Sequence, residues 1–175
     1  MVLYTIGHSN RSFDDFVGLL RSNGIERLVD IRRIPRSAHN PQFNADSLAE
    51  ALPRCGIDYR HMEALGGLRK PRPDSTNTGW RNAGFRGYAD YMETEEFRMA
   101  LNELLALGAE KPTAIMCAEA VPWRCHRSVL ADAIVAHGVT VLDIVGPGRP
   151  REHKLPEFAK VFDGRVTYPG DKPLF

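Results

Sequence analysis

The sequence lacks several features that would place it in a specialised class of protein. It has no apolar run near the ~20 residues that a membrane-spanning helix needs, and no internal repeat or low-complexity tract. The formal net charge is only +1, so no overall basic field favours nucleic acid, although local charge clusters can still bind anions. The N-terminal stretch MVLYTIGHSN lacks the basic and apolar regions of a signal peptide, and we expect none.

Cysteine is also scarce, with Cys55, Cys117 and Cys125 the three in the chain. An odd number of cysteines without export favours free thiols, and we therefore expect a cytoplasmic protein with no membrane partner. The apolar share (43%) and the charged share (26%) are those of an ordinary globular protein. A chain of 175 residues is long enough to bury the core of one domain.

Strand-like and helix-like segments alternate along the chain. The β-rich segments are VLYTI, RLVDI, IDYRHM, PTAIMC and VTVLDIV. Between them lie amphipathic segments, in which Ser12 and Thr94 are placed as helix N-caps and Gly108 as a helix stop. This alternation implies right-handed crossovers and a mostly parallel sheet.

We therefore predict an α/β fold, a three-layer open sandwich with helices on both faces of a sheet of about five strands, too few for an eight-stranded barrel. A single domain is expected, with its core at about residues 1–146. A tail rich in proline and glycine follows at residues 147–175, with one short β-like piece, GRVTYP.

Polar residues that can perform chemistry follow four of the predicted strands. In open parallel sheets, ligands bind outside the carboxyl ends of the strands, so these residues are expected to converge at one edge. The candidate catalytic residues are His8, Glu119, His126 and Cys117. The candidate substrate-binding residues are Gly7, Ser9, Arg32, Arg36, Ser37, Gly66, Gly67, Cys125 and Arg127.

The segment MCAEAVPWRCHR, residues 116–127, holds the densest group of these residues. Its end opens a predicted helix, and a helix N-terminus beside arginine binds anions, which is the interpretation we favour. Cys117 is a nucleophile if a neighbouring cation stabilises its thiolate, but a buried cysteine at a strand end is also common. The Cys-x5-Arg cradle of phosphatases is absent, because Trp123 stands at the sixth position and Arg124 follows it.

Other candidates also have two interpretations. His8 is either a general acid or base, since histidine titrates near neutrality, or a partner of the turn backbone. Arg32, Arg33 and Arg36 either clamp a phosphate or carboxylate or form surface salt bridges. Asp30 lies in a strand and needs a partner if it is buried, and an arginine of the same edge is a natural one. Glu119 either orients an arginine or acts as a base.

A metal ion and a nucleic acid are two further possible partners. The donors of the MCAEAVPWRCHR segment match no zinc-site spacing, and we predict no metal site. The long connection from Glu63 to Arg86 interleaves arginines with Trp80, Phe85 and Tyr88. Such a mixture can follow a nucleic-acid strand, or it is a solvated loop whose aromatic side chains anchor it to the body, which we favour.

The segments YTIGHSNRSFDDFVGLL, LVDIRRIPRS, YRHMEALGG, YADYM and MCAEAVPWRCHR occur in this order. Together they resemble a bacterial and archaeal family, domain of unknown function 488, from Leu3 to about Ile144. The resemblance implies a compact cytoplasmic single-domain protein and no particular activity. It also implies that the family's recurrent motif positions fall at Gly7, His8, Ser9, Asp30, Arg32, Pro35, Ser37, His61, Leu65, Gly66, Gly67, Tyr91, Cys117, Glu119, Cys125, His126 and Arg127.

The sequence leaves three functions open. The first is an enzyme acting on a small anionic or nucleotide-like ligand at the predicted edge. The second is a non-catalytic module that binds nucleic acid or a nucleotide, and the third is a metal-dependent hydrolase. The sequence indicates no particular cofactor, reaction or oligomeric state.

Overall fold

Strands and helices alternate as predicted in the computed structural model, which describes residues 1–171. Residues 172–175, the end of the predicted tail, lie outside the described residues. The helices are α1 (Phe13–Ser22), α2 (Ala45–Arg54), α3 (Ala83–Tyr91), α4 (Glu95–Glu110) and α5 (Arg127–Ala136). The strands are β1 (Val2–Gly7), β2 (Arg27–Asp30), β3 (Asp58–His61), β4 (Thr113–Cys117), β5 (Thr140–Ile144), β6 (Arg151–Glu152), β7 (Lys160–Phe162) and β8 (Arg165–Thr167).

The main sheet has the strand order β3-β2-β4-β1-β5-β6. Strands β1 to β5 are parallel, and β6 pairs antiparallel with β5. The chain moves outward through β2 and β3 and then returns through β4 to β5, so right-handed crossovers put α1 and α2 on one face and α3 to α5 on the other. The predicted α/β sandwich is therefore confirmed, with β6 and a separate β7–β8 hairpin in addition.

The central strand β4 is buried along its whole length, which explains its apolar sequence. Ala114 and Met116 pack with α1 and α2, whereas Ile115 and Cys117 pack with the helices of the opposite face. This alternation is the two-residue period of a strand. It assigns the Cys117 side chain to the layer that contains α5.

Two of the predicted helix caps are confirmed and one helix stop is wrong. The hydroxyl of Ser12 accepts a hydrogen bond from Asp15 N at the start of α1, and that of Thr94 accepts one from Phe97 N at the start of α4. Gly108 does not end α4, which continues to Glu110. A Cβ at Gly108 would lie 2.6 Å from Cδ2 of Leu3, so the glycine is needed for close packing of the helix on β1.

The C-terminal segment has more structure than the single β-like piece predicted for it, and a buried polar cluster fastens it to the body. Asp132 of α5 accepts hydrogen bonds from Nε2 of His153 and from the hydroxyl of Tyr168, both at 2.6 Å. Nδ1 of His153 lies 3.5 Å from Asp143 Oδ2. Burial opposes protonation, but hydrogen bonds to the two carboxylates raise the pKa of His153 to about 9. His153 is therefore an imidazolium at neutral pH.

The long connection between β3 and α3 is anchored to the body through its Trp80 and through contacts with aromatic side chains of α3. Trp80 packs edge-on against Phe85 and Phe158, with ring centroids 5.1 and 4.9 Å apart. Tyr88 is fully buried, and its hydroxyl donates to Leu65 O. In the part of the chain that the structure describes, no helix has the length and apolar character needed to cross a membrane.

Candidate functional site

A cavity of about 680 Å³ opens at the carboxyl ends of β1, β2 and β4, within the size range of small-molecule sites. It contains most of the predicted site residues, at the edge where the sequence predicts that they converge. Those that line it are His8, Ser9, Arg32, Arg36, Ser37, Gly67, Cys117, Glu119, Cys125 and His126. Gly7, Gly66 and Arg127 are not part of the lining. A second cavity of about 600 Å³, between α4 and the β7–β8 hairpin, contains none of the predicted residues.

The Arg32 guanidinium is paired within the protein. Its Nε and Nη2 donate to the two carboxylate oxygens of Asp30 at 2.9 and 2.7 Å, and Nη2 also donates to Phe43 O. This bidentate pair confirms the predicted partner for Asp30. Because Asp30 compensates its charge, Arg32 offers the cavity chiefly Nη1, which lies 3.3 Å from Nε2 of His8.

His8 is held in one neutral tautomer by its neighbours. A guanidinium nitrogen only donates, so Nε2 of His8 accepts from Arg32, and Nδ1 carries the proton that it donates to Ser9 O at 2.7 Å. The ring stacks on Phe43 with centroids 4.6 Å apart. Burial lowers the pKa of His8, so the side chain stays neutral at pH 7. These bonds favour the structural interpretation of His8 over a role in proton transfer.

The glycines predicted to contact substrate are required by close backbone approach instead. A Cβ at Gly7 would lie 1.7 Å from Glu119 O, because the loop after β4 crosses directly over β1. A Cβ at Gly67 would lie 2.7 Å from Nδ1 of His126. Both glycines therefore position the cavity wall, and neither requires a bound phosphate to explain it.

The start of α5, which the sequence favours for anion binding, uses its N–H groups within the chain. Arg127 N donates to Cys125 Sγ at 3.4 Å, and Ser128 N donates to Cys125 O at 3.1 Å. The next two N–H groups both donate to His126 O at 3.0 Å. The positive end of the α5 dipole therefore faces the Cys125 sulfur, and its N–H groups are not free to bind a ligand.

Cys117 and Cys125 form the inner end of the cavity, where they are 2% and 7% exposed. Hydrogen bonding with the Cys125 thiol lowers the pKa of Cys117 against the effect of burial, and the charge of Arg127 lowers it further. The same hydrogen bond, together with burial, raises the pKa of Cys125. Cys117 is therefore the sulfur of the pair that ionises first, and as a thiol its Sγ donates to Glu119 O at 3.8 Å.

Arg127 lies behind this pair and is fully buried. Its Nε, Nη1 and Nη2 atoms have no hydrogen-bond partner among the described residues. Next to it, burial lowers the pKa of His126 to about 4, so that imidazole is neutral. A buried cation without a partner is costly, and Arg127 therefore requires a nearby negative charge.

Sequence reasoning missed several residues of the cavity, including Asn10, Ile34, Asn40 and Leu68. Arg33, which the sequence suggests as part of an anion clamp with Arg32 and Arg36, also lines the cavity. Ile34 and Leu68 are 66% and 75% exposed, and apolar side chains at a polar edge give no signal in the sequence. Leu68 also has φ +60°, a conformation that favours glycine.

Among residues 1–171, no three His, Cys, Asp or Glu side chains come together as the ligands of a metal ion would. The predicted resemblance is confirmed by comparison, since the family described as "Domain of unknown function DUF488" matches residues 12–134. We found no match to the chain among curated proteins and none among solved structures.

Proposed function

We propose, from the premise that the chain belongs to the DUF488 family, that its cavity binds a small anionic ligand and that Cys117 attacks this ligand as a thiolate. The observation that carries the proposal is the Arg127 guanidinium, which is fully buried and has no hydrogen-bond partner among the described residues. A buried cation is tolerated when a negative charge lies near it. The Cys117 thiolate meets that need, because the charge of Arg127 contributes to its lowered pKa.

The other half of the proposal, anion binding, is supported by the mouth of the cavity. The exposed side chains of Arg33 and Arg36 line it, and guanidinium groups bind phosphate and carboxylate through paired hydrogen bonds. The loop that presents Arg36 is ordered by two bonds. Ser37 N donates to Asn44 Oδ1 at 2.8 Å, and Asn40 N donates to the Ser37 hydroxyl at 3.1 Å.

The proposed reaction is transfer of a phosphoryl or acyl group to Cys117. The sulfur attacks the phosphorus or carbonyl carbon, a bond to sulfur forms, and the bond to the ester oxygen breaks. That oxygen leaves with a proton taken from solvent, to which the cavity is open. Water then cleaves the thioester or thiophosphate and restores the thiolate. The chemistry needs reduced cysteines, and Cys55, Cys117 and Cys125 are all free thiols, which supports the cytoplasm as the location we propose.

The test combines ligand binding with turnover. A ligand that binds only the folded protein raises its unfolding midpoint by mass action. We expect phosphate esters and nucleotides to raise the midpoint of the wild type, and Arg36→Ala to abolish the shift. Turnover of the ester that binds best is expected to be lost in Cys117→Ser and kept in Cys55→Ser, the matched control. Full turnover in Cys117→Ser would disprove the role of the thiolate.

A second candidate function, nucleotide binding without catalysis, is favoured by the exposed apolar side chains of Ile34 and Leu68 beside the arginines of the cavity mouth. An apolar pair next to guanidinium groups suits a base attached to a phosphate. This alternative predicts that nucleotides raise the unfolding midpoint of the wild type and of Cys117→Ser equally, with no turnover by either protein.

A further inference from the structure

We propose that Cys125 is the resolving thiol of Cys117: a hydroperoxide oxidises Cys117 to a sulfenic acid, and Cys125 then forms a disulfide with it. The proposal rests on the proposed function, since both require Cys117 to be a thiolate. It adds a reversible modification to the same site. It also assigns a role to Cys125, which the proposed group-transfer reaction does not use.

The positions of the two cysteines suit this role. Cys117 is the last residue of β4 and Cys125 lies two residues before α5, so the short loop of residues 118–124 returns the chain to the same end of the cavity. Both sulfurs belong to the same buried cluster. The remaining cysteine, Cys55, packs with the cluster on the opposite face of the sheet, and the sheet separates it from the pair.

The charges around the pair favour oxidation of one sulfur and protonation of the other. The thiolate is the form that reacts with a hydroperoxide, and the buried Arg127 guanidinium, without a hydrogen-bond partner among residues 1–171, stabilises a negative charge at this end of the cavity. Arg127 N also donates to the Cys125 sulfur at 3.4 Å, which fixes the second thiol in position.

The reaction balances with the hydroperoxide as the only oxidant. The Cys117 sulfur attacks the terminal peroxide oxygen, an S–O bond forms, the O–O bond breaks, and the alkoxide leaves as an alcohol or water after taking a proton from solvent. The Cys125 sulfur then attacks the Cys117 sulfur, loses its proton, and displaces hydroxide, which leaves as water. The two sulfurs lose two electrons to the peroxide.

The disulfide would inhibit the proposed reaction and would also protect Cys117 from further oxidation. A sulfenic acid without a resolving thiol is oxidised further to a sulfinic acid, which ordinary thiol reductants do not reverse. A disulfide is reduced by an added dithiol, which restores the nucleophile. Peroxide would therefore switch the proposed group transfer off reversibly.

The experiment treats the reduced full-length protein with hydrogen peroxide, alkylates the remaining thiols, and measures the intact mass and the linked peptides. We expect the wild type to lose two of its three free thiols and to yield one peptide pair joined between Cys117 and Cys125. Dithiothreitol should restore both thiols. Cys55→Ser is the matched control and should form the same disulfide.

Cys125→Ser is expected to leave Cys117 as a sulfenic acid that dimedone traps, and then as a sulfinic acid that dithiothreitol does not reverse. Cys125→Ala serves the same purpose if the serine variant does not fold. A wild type in which Cys117 becomes sulfinic while Cys125 stays alkylatable would overturn the resolving role and leave the proposed thiolate intact. Failure of Cys117 to react with iodoacetamide in the absence of peroxide would overturn the proposed function as well.

Discussion

Removing the charge of Arg127 should reduce the loss in free energy of unfolding that Cys117→Ala causes. Arg127→Met keeps an unbranched side chain in a fully buried position and removes a guanidinium whose three nitrogens have no hydrogen-bond partner among the described residues. Breaking a buried ion pair by deleting one partner costs about 3–5 kcal/mol, whereas replacing the whole pair is often neutral. If Cys117 supplies the counter-charge, Cys117→Ala should cost roughly that amount in the wild type and about 1–2 kcal/mol in Arg127→Met.

Urea unfolding of the four proteins at pH 8 measures the two costs, and Cys55→Ala in both backgrounds is the control. The expected coupling of about 2 kcal/mol is far larger than the ~0.3–0.5 kcal/mol within which independent sites add. Additive costs for Cys117→Ala and Arg127→Met would show that the two residues do not compensate each other. The thiolate assignment would then be wrong.

The same pair predicts a dependence on pH. The folded-state pKa of Cys117 is lowered, so its contribution to stability is fully present above the ordinary thiol pKa. It is lost as pH falls through the lower folded-state value. The alkylation rate of Cys117 should follow the same titration, and its midpoint should move to higher pH in Arg127→Met.

Three other predictions follow from single positions. Gly7→Ala places a Cβ 1.7 Å from Glu119 O and should destabilise the fold by at least ~3 kcal/mol in urea unfolding, or prevent folding. Leu68→Gly should stabilise it by about 0.5–1 kcal/mol, because relief of a φ of +60° outweighs the added chain entropy; lower stability would refute the strain. The raised pKa of His153, about 9, means that its contribution of roughly 3 kcal/mol is present below pH 6.5 and lost as pH rises through 9. His153→Gln should abolish this loss in thermal unfolding between those pH values, and an unchanged pH profile would contradict the assignment.

Local signals in the sequence were sufficient for the fold class and for the edge of the sheet at which most of the candidate residues line one cavity. The caps at Ser12 and Thr94 are set by side chains that bond to nearby N–H groups, so a short segment contains all the information. The convergence of polar residues at one edge follows from the parallel sheet, because the carboxyl ends of neighbouring parallel strands lie together. The caps can therefore be predicted from a few adjacent residues, and the convergence from the order of strands and helices along the chain.

The features that were missed depend on contacts between distant segments. Gly108 was predicted to stop a helix because glycine commonly does so, but its packing partner is Leu3, which lies far away in sequence near the N-terminus. Arg127 was predicted to reach the ligand, since arginine at a helix start commonly does, and the structure instead places it behind the two cysteines. Neither contact has a signature in the residues adjacent to it.

The strand order also affects how the protein is made. β1 is completed first by the ribosome, yet its partners are β4 and β5, with Leu3 opposite Thr113 and Val2 opposite Thr140. At roughly 5–20 residues per second, β1 waits on the order of ten seconds for a neighbour. During synthesis its apolar residues and both of its edges are exposed to chaperones or to other nascent chains. Such long-range pairing also makes refolding slow, so we expect the yield of folded protein to depend on translation rate and temperature.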